Sequence, residues 1–200
     1  MDIIKKLAQE LTIKEEQAKA AVQLIDEGNT IPFIARYRKE MTGALNDETL
    51  RNLHERLLYL RNLEEKKEQV INAITEQDKM TDDLKKKILA AEALVAVDDL
   101  YRPYRPKKQT RATKAKEKGL EPLANILLLQ ATSKSMEEEA QSFVDEAKGV
   151  VNAKEALAGA KDIIAVMIAD KADYRKSIRN CTMKQGRLVV KAKDEKAESV

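Results

Sequence analysis

Cysteine occurs once, as Cys181, and histidine once, as His54. A single thiol forms no internal disulfide, and one thiol with one imidazole cannot complete a zinc site of ordinary ligand type. Tryptophan is absent, aromatic residues make up 4% of the 200 residues, and six glycines and four prolines provide little turn chemistry. That poverty excludes a fold dominated by short strands and tight turns. The longest apolar run, Ile163 to Ala169, falls far short of the roughly 18 residues of a membrane span. The opening Met1-Asp-Ile-Ile-Lys-Lys places charges where a secretory signal needs its apolar core. Together these absences predict a cytoplasmic protein with no membrane partner, no cofactor and no metal.

What is present is helical material: 43% hydrophobic and 36% charged residues, rich in Ala, Leu, Ile, Lys and Glu. The expected fold is an all-α, multi-helix assembly with at most one short strand near the C-terminus, over Leu188-Val189-Val190. Apolar residues recur at helical spacing from Asp2 to Leu11 and from Lys14 to Glu27. Gly28 and Asn29 stop the second helix. Thr30 is placed as an N-cap, and Pro32 sits in the first turn of a third helix running to about Lys39. This gives a helix-turn-helix element over 14–39. Asn46 is expected to cap a long helix, with Leu45 as a hydrophobic staple on Leu50. Leu50, Leu53, Leu57, Leu60 and Leu63, continued by Val70, Ile71 and Ile74, form its buried stripe.

Thr81 starts a further helix toward Tyr101, and Pro103 and Pro106 leave an extended segment behind it. Thr110 then caps a short basic helix ended by Gly119, and Pro122 reopens a helix to about Gln130. Met136 to Lys148, a capped helix from Asn152 buried along Leu157, Ala160, Ile164, Met167 and Ile168, and Ala172 to about Lys184 complete the order. The predicted division is a helical region 1–76, a second helical region 77–185, and 186–200 as the start of a linker.

No nucleophile-base pair, phosphate loop, metal spacing or acid pair stands out, so no enzymatic activity and no small-molecule substrate are expected. His54 and Cys181 read as ordinary structural or surface residues, and Glu137-Glu-Glu as a solvated helix start. Two features rise above composition. In the third helix, Arg36 and Lys39 lie about 60° apart on a polar face. They are placed to reach phosphate or a protein partner, with Arg38 against the core beside Asp47 or Glu48. The bland alternative is an ordinary pair of short helices.

The second feature is the stretch from Arg102 to Lys118. Its eight cations, Arg102, Arg105, Lys107, Lys108, Arg111, Lys114, Lys116 and Lys118, face one acid, Glu117, a local +7 in a chain of net charge +3. Three readings stay open. Nucleic-acid phosphate supplies the counter-charge, with Tyr101 and Tyr104 stacking on bases; acids of the same chain or of a neighbouring domain supply it; or the tyrosines are core anchors and the cations are simply solvated.

The runs Asn29-Thr-Ile-Pro-Phe-Ile-Ala-Arg-Tyr-Arg-Lys-Glu-Met-Thr-Gly-Ala-Leu, Tyr101-Arg-Pro-Tyr-Arg-Pro-Lys-Lys-Gln-Thr-Arg-Ala and Gly119-Leu-Glu-Pro-Leu-Ala resemble, in that order, the N-terminal region of the Tex-like family of bacterial transcription accessory proteins. The resemblance implies a helical region ahead of an RNase H-like domain of the YqgF type, helix-hairpin-helix elements and an RNA-binding OB-fold. By that likeness the chain is a fragment that contributes scaffold and non-specific phosphate contacts to RNA or DNA, weak without the OB-fold. The alternative it implies is a docking module for the rest of the chain or for transcription machinery. It carries no nuclease residues onto this sequence.

Overall fold

A computed structural model describes residues 1–106, 109–130 and 132–190, and every regular element among them is helical. The contacts divide the chain into two compact units, Met1–Tyr101 and Arg102–Val200. The division falls after Tyr101, whereas the sequence reading divides the chain after residue 76.

The first unit holds α1 (Ile3–Leu11), α2 (Glu15–Asp26), α3 (Ile31–Tyr37), α4 (Lys39–Thr42), α5 (Asp47–Thr75), α6 (Asp82–Ala90) and α7 (Leu94–Tyr101). The helix α5 is its axis. Asn46 closes its start by accepting from the Thr49 N–H at 2.7 Å, and 29 residues give it a length of about 44 Å. Leu50, Leu53, Leu57, Leu60 and Leu63 are buried along one stripe. Around them pack α1, α2 and α3, then α6 and α7. Ile88 and Val97 are fully buried, and the Tyr59 hydroxyl of α5 accepts from the Leu94 N–H that opens α7. Packing of α6 and α7 on α5 is why the first unit runs past residue 76.

One member of the α5 stripe is a lysine. Lys67 is buried, its ammonium donating to Glu64 at 2.8 Å and to the Leu89 carbonyl at 2.9 Å. Ile71, placed in the stripe by the sequence reading, is only half-buried. The helix toward Tyr101 is also interrupted, because Ala91 takes an extended backbone (ψ 131°) between α6 and α7.

Ion pairs tie α5 to its neighbours. Arg56 grips Glu10 of α1 with two N–H donors at 2.5 and 2.9 Å, and Arg61 grips Asp26 of α2 with two at 2.7 Å. These guanidinium hydrogen bonds outweigh partial burial and hold both carboxyls below the usual carboxylate range. For Glu64, burial alone raises the pKa, but Lys67 and the Met1 amine together outweigh it and lower it. A depressed folded-state pKa contributes stability that is present above the unfolded value near 4 and is lost as pH falls through the folded value. Acid titration of the chain below about pH 4 is therefore expected to remove this share. The double variant Glu10→Gln/Asp26→Asn, less stable than wild type at pH 7, should converge with it near pH 2 when denaturation midpoints are compared; a gap that stays constant with pH would contradict this.

The second unit begins with a 3-10 turn, Arg102–Tyr104, and holds α8 (Arg111–Glu117), α9 (Glu121–Leu129), α10 (Met136–Gln141), a second 3-10 turn at Glu146–Lys148, α11 (Ala153–Ala169) and α12 (Ala172–Gln185). Its core is built from small residues, with Ala112, Ala115, Ala124, Ala140, Ala156 and Ala160 beside Leu120, Leu123, Val150 and Ile163. A side chain on Gly159 of α11 would stand 2.5 Å from the Leu120 methyl, so the close approach of the helices requires glycine there.

Three expectations are corrected in this unit. The segment after Tyr101 is not extended, since Arg102–Tyr104 turns as a 3-10 helix. The helix from Met136 stops at Gln141, and Asp145 forms an isolated antiparallel bridge with Val150 instead of continuing to Lys148. The buried stripe of α11 is rotated to Ala156, Ala160 and Ile163, leaving Ile168 exposed. Residues 188–190, where at most one short strand was expected, form none, and the all-α expectation holds. The stretch 191–200, part of the expected linker, lies outside the described residues.

Candidate polyanion interface

The basic segment meets its own chain. In the second unit the Arg102 Nε donates to Asp170 at 2.9 Å, Arg111 stands 3.4 Å from Asp162, and Lys116 bonds Glu121 at 2.5 Å. Lys118 donates to the Gly149 carbonyl at 2.6 Å and to Glu155 at 3.0 Å. The Lys118 hydrogen bond, with the Val151 N–H, holds the Glu155 carboxyl below its ordinary range. Arg105 and Tyr104 are engaged within the fold as well, as is Tyr101 in the first unit, and both tyrosines are half-buried. Lys114 is exposed and faces no carboxylate among the described residues. Lys107 and Lys108 lie outside the described residues.

The first unit presents a different arrangement. α2 ends at Asp26, and α3 begins at Ile31 with Pro32 in its first turn. The order helix, turn, helix is as expected, but α3 is seven residues long and stops at Tyr37, not near Lys39. Arg38 breaks it with φ −126° and ψ 25°, and the chain restarts as the single turn α4. This break overturns the expectation for Arg38. Asp47 is taken by Arg51 at 2.6 Å, and Arg38 is exposed with its guanidinium 5.1 Å from the centre of the Phe33 ring.

Arg36, Arg38 and Lys39 have no carboxylate within ion-pairing distance among the described residues and are exposed. The aromatic residues beside them are exposed too: Phe33 at 36%, Tyr37 at 61%, with Met41 of α4 at 51%. The Phe33 and Tyr37 rings lie 5.3 Å apart at 46°. An open groove of about 610 Å3 runs between Leu24 and Glu27 at the end of α2 and residues 36–41.

A single turn is not stable by itself, and α4 is held from α2. Gln17 accepts from the Lys14 N–H at 3.1 Å, and its amide donates to the Thr42 and Gly43 carbonyls at 3.2 and 3.0 Å. Gly43 has φ +60°, and a methyl group there would stand 2.6 Å from the Gln17 amide nitrogen. Gly43→Ala is therefore expected to cost about 1–2 kcal/mol from the left-handed backbone alone, with a further loss as Gln17 is displaced. Urea denaturation checks this, and a variant as stable as wild type would contradict it.

The sequence reading named Arg36 and Lys39 and missed Phe33 and Tyr37. Their i, i+4 spacing places them about 40° apart on α3, and both are rotated by about 60–100° from the buried Ile34. That offset was the available signal. Among the described residues no group of three His, Cys, Asp or Glu is placed to hold a metal ion. His54 is half-buried in α5, and Cys181 is exposed with its Sγ 3.8 Å from the Gln185 side-chain oxygen. No described helix is long and apolar enough to cross a membrane.

Fold and site define an all-α chain of two compact units, the first carrying an exposed face of cations and aromatic rings. Residues 1–75 match the family of the Tex-like protein N-terminal domain, and residues 131–200 match the Tex central region-like family. The transcriptional accessory protein Tex of Neisseria gonorrhoeae is 43% identical over 201 residues, covering 99% of this chain and 26% of that protein. Protein tex of Bordetella pertussis is 44% identical over 189 residues, covering 94% and 24%. The human S1 RNA-binding domain-containing protein 1 is 31% identical over 185 residues, covering 92% and 18%. The chain belongs to the Tex-like family. It spans about a quarter of the length of its bacterial relatives.

Proposed function

We propose that this chain is a helical, non-catalytic module of a nucleic-acid-associated transcription accessory protein, and that it adds non-specific phosphate contacts through the α3–α4 face. The observation that carries this reading is the cluster of three exposed, uncompensated cations, Arg36, Arg38 and Lys39, within four consecutive positions. Phosphate binding releases condensed counterions, so it favours cations that do not first have to leave an internal carboxylate. Arg102, Arg111, Lys116 and Lys118 must surrender or share a carboxylate, and we assign them mainly to holding the second unit together. Lys114 remains as a supplementary contact there.

Titration of labelled single- and double-stranded oligonucleotides of mixed sequence tests this. Binding at low salt should weaken linearly in a log-log plot against salt, with little dependence on sequence. Absence of binding at low salt would overturn the reading.

A second reading, docking to other protein segments, draws on α12. This helix has no buried residue and exposes Tyr174 and Ile178 four positions apart. Co-sedimentation with the part of the Neisseria gonorrhoeae relative that this chain does not match tests it; Ile178→Glu should abolish retention, and no retention of the unaltered chain would count against docking.

A further inference from the structure

Phosphate contact accounts for Arg36 and Lys39 but not for two aromatic rings left in water beside them. Tyr37 has the larger exposure on a helix that buries Ile34 completely. Its ring packs on Phe33 at 5.3 Å, and Phe33 is in turn covered by the Arg38 guanidinium at 5.1 Å. Guanidinium, Phe33 and Tyr37 thus adjoin one another, the two rings tilted by 46°. The break at Arg38 makes this possible, because a continuing helix would carry residue 38 about 100° round the axis from Tyr37 and toward the buried side with Ile34.

We infer that Phe33, Tyr37 and Arg38 form a stacking platform for an unpaired nucleobase, with Arg36 and Lys39 holding the phosphates on either side of it. This rests on the polyanion reading of the α3–α4 face and adds the chemistry of the occupant. Charge complementarity selects an anionic strand, since the platform is flanked by two further cations and lies in a groove whose acids, Glu27 and Glu40, are outnumbered. Ring geometry then selects a base that has left its duplex: paired bases offer only their edges, whereas a flat π-face needs a flat partner. Both arginine and aromatic rings stack on any base, so the platform discriminates by exposure of the base and not by sequence.

Three ligands of equal phosphate number separate the parts: a single-stranded oligonucleotide, the same strand with abasic sites throughout, and a duplex of half that length. The unaltered chain should bind the single strand about 5- to 100-fold more tightly than the abasic strand, and more tightly than the duplex. Tyr37→Leu, which keeps an apolar side chain at an exposed site and spares the cations, should narrow the difference between single strand and abasic strand severalfold. Tyr37→Trp should restore the difference, and its indole emission, unique in a chain without tryptophan, should be quenched by the single strand and not by the abasic one. Equal affinity of the unaltered chain for both strands would overturn the platform while leaving the phosphate reading intact. Loss of base-dependent binding in Arg36→Ala/Lys39→Ala with no change in Tyr37→Leu would likewise reject the platform alone. Binding of no ligand would remove both, and would leave the aromatic face to a protein partner.

Discussion

Truncating Leu60 to alanine is expected to lower the unfolding free energy of the first unit by about 2–5 kcal/mol. Leu60 is fully buried at the middle of α5, the helix against which α1, α2, α3, α6 and α7 are packed. The loss has two parts, the transfer free energy of the deleted methyl groups and the cavity they leave. Collapse of the cavity is restricted, because the neighbouring positions Leu53, Leu57 and Leu63 are themselves fixed in the same stripe. Domains of this size are stable by about 5–15 kcal/mol, so one substitution removes a large share. Denaturant titration followed by circular dichroism gives the value. A loss under about 1 kcal/mol would mean that α5 is not the axis of the unit.

The second large effect concerns affinity. Replacing Arg36, Arg38 and Lys39 by alanine removes up to three phosphate contacts, and each contributes about 0.7 to the salt slope on a single strand. The slope should fall by about two, and affinity at low salt by roughly a hundredfold if each charge-assisted bond is worth about 1 kcal/mol. Stability should change by no more than about 1 kcal/mol, since Arg36 and Lys39 are exposed without carboxylate partners and Arg38 gives up only its exposed contact with the Phe33 ring. A variant that binds as before would place the contact elsewhere.

Local chemistry made much of the fold legible. The starts of α5, α6, α8 and α11 carry Asn46, Thr81, Thr110 and Asn152, and in each the side chain accepts from the expected backbone N–H, whereas Thr30 stands at the start of α3 without a side-chain cap hydrogen bond. The leucine stripe of α5 was equally readable, because a 3/4 rhythm over four turns has one solution. What stayed hidden depends on contacts distant in sequence. Lys67 occupies a core position because the Leu89 carbonyl, 22 residues on, faces it. In α11 both Leu157–Ala160–Ile164 and Ala156–Ala160–Ile163 keep helical spacing, and the packing of Gly159 against Leu120 and Ala115, outside the helix, goes with the second.

The candidate site shows the same limit. The concentration of charge at 102–118 was obvious, but the acids that meet it, such as Asp170, lie up to 68 residues away. Local net charge therefore overstated its availability. Conversely, Arg36 and Lys39 drew attention as a small pair, and the sequence did not reveal that Arg38 would break the helix and join Phe33 and Tyr37. Uncompensated charge, and not the density of charge, is the property that distinguishes the two regions.

The most direct test compares two variants of the same chain on one labelled single strand across a salt series. One carries alanine at Arg36, Arg38 and Lys39, the other at the carboxylate-paired cations Arg102, Arg111, Lys116 and Lys118. The account predicts that the first flattens the dependence of log K on log salt by about two, and that the second changes it by less than half as much. The reverse order, with the 102–118 substitutions carrying the larger change, would contradict it.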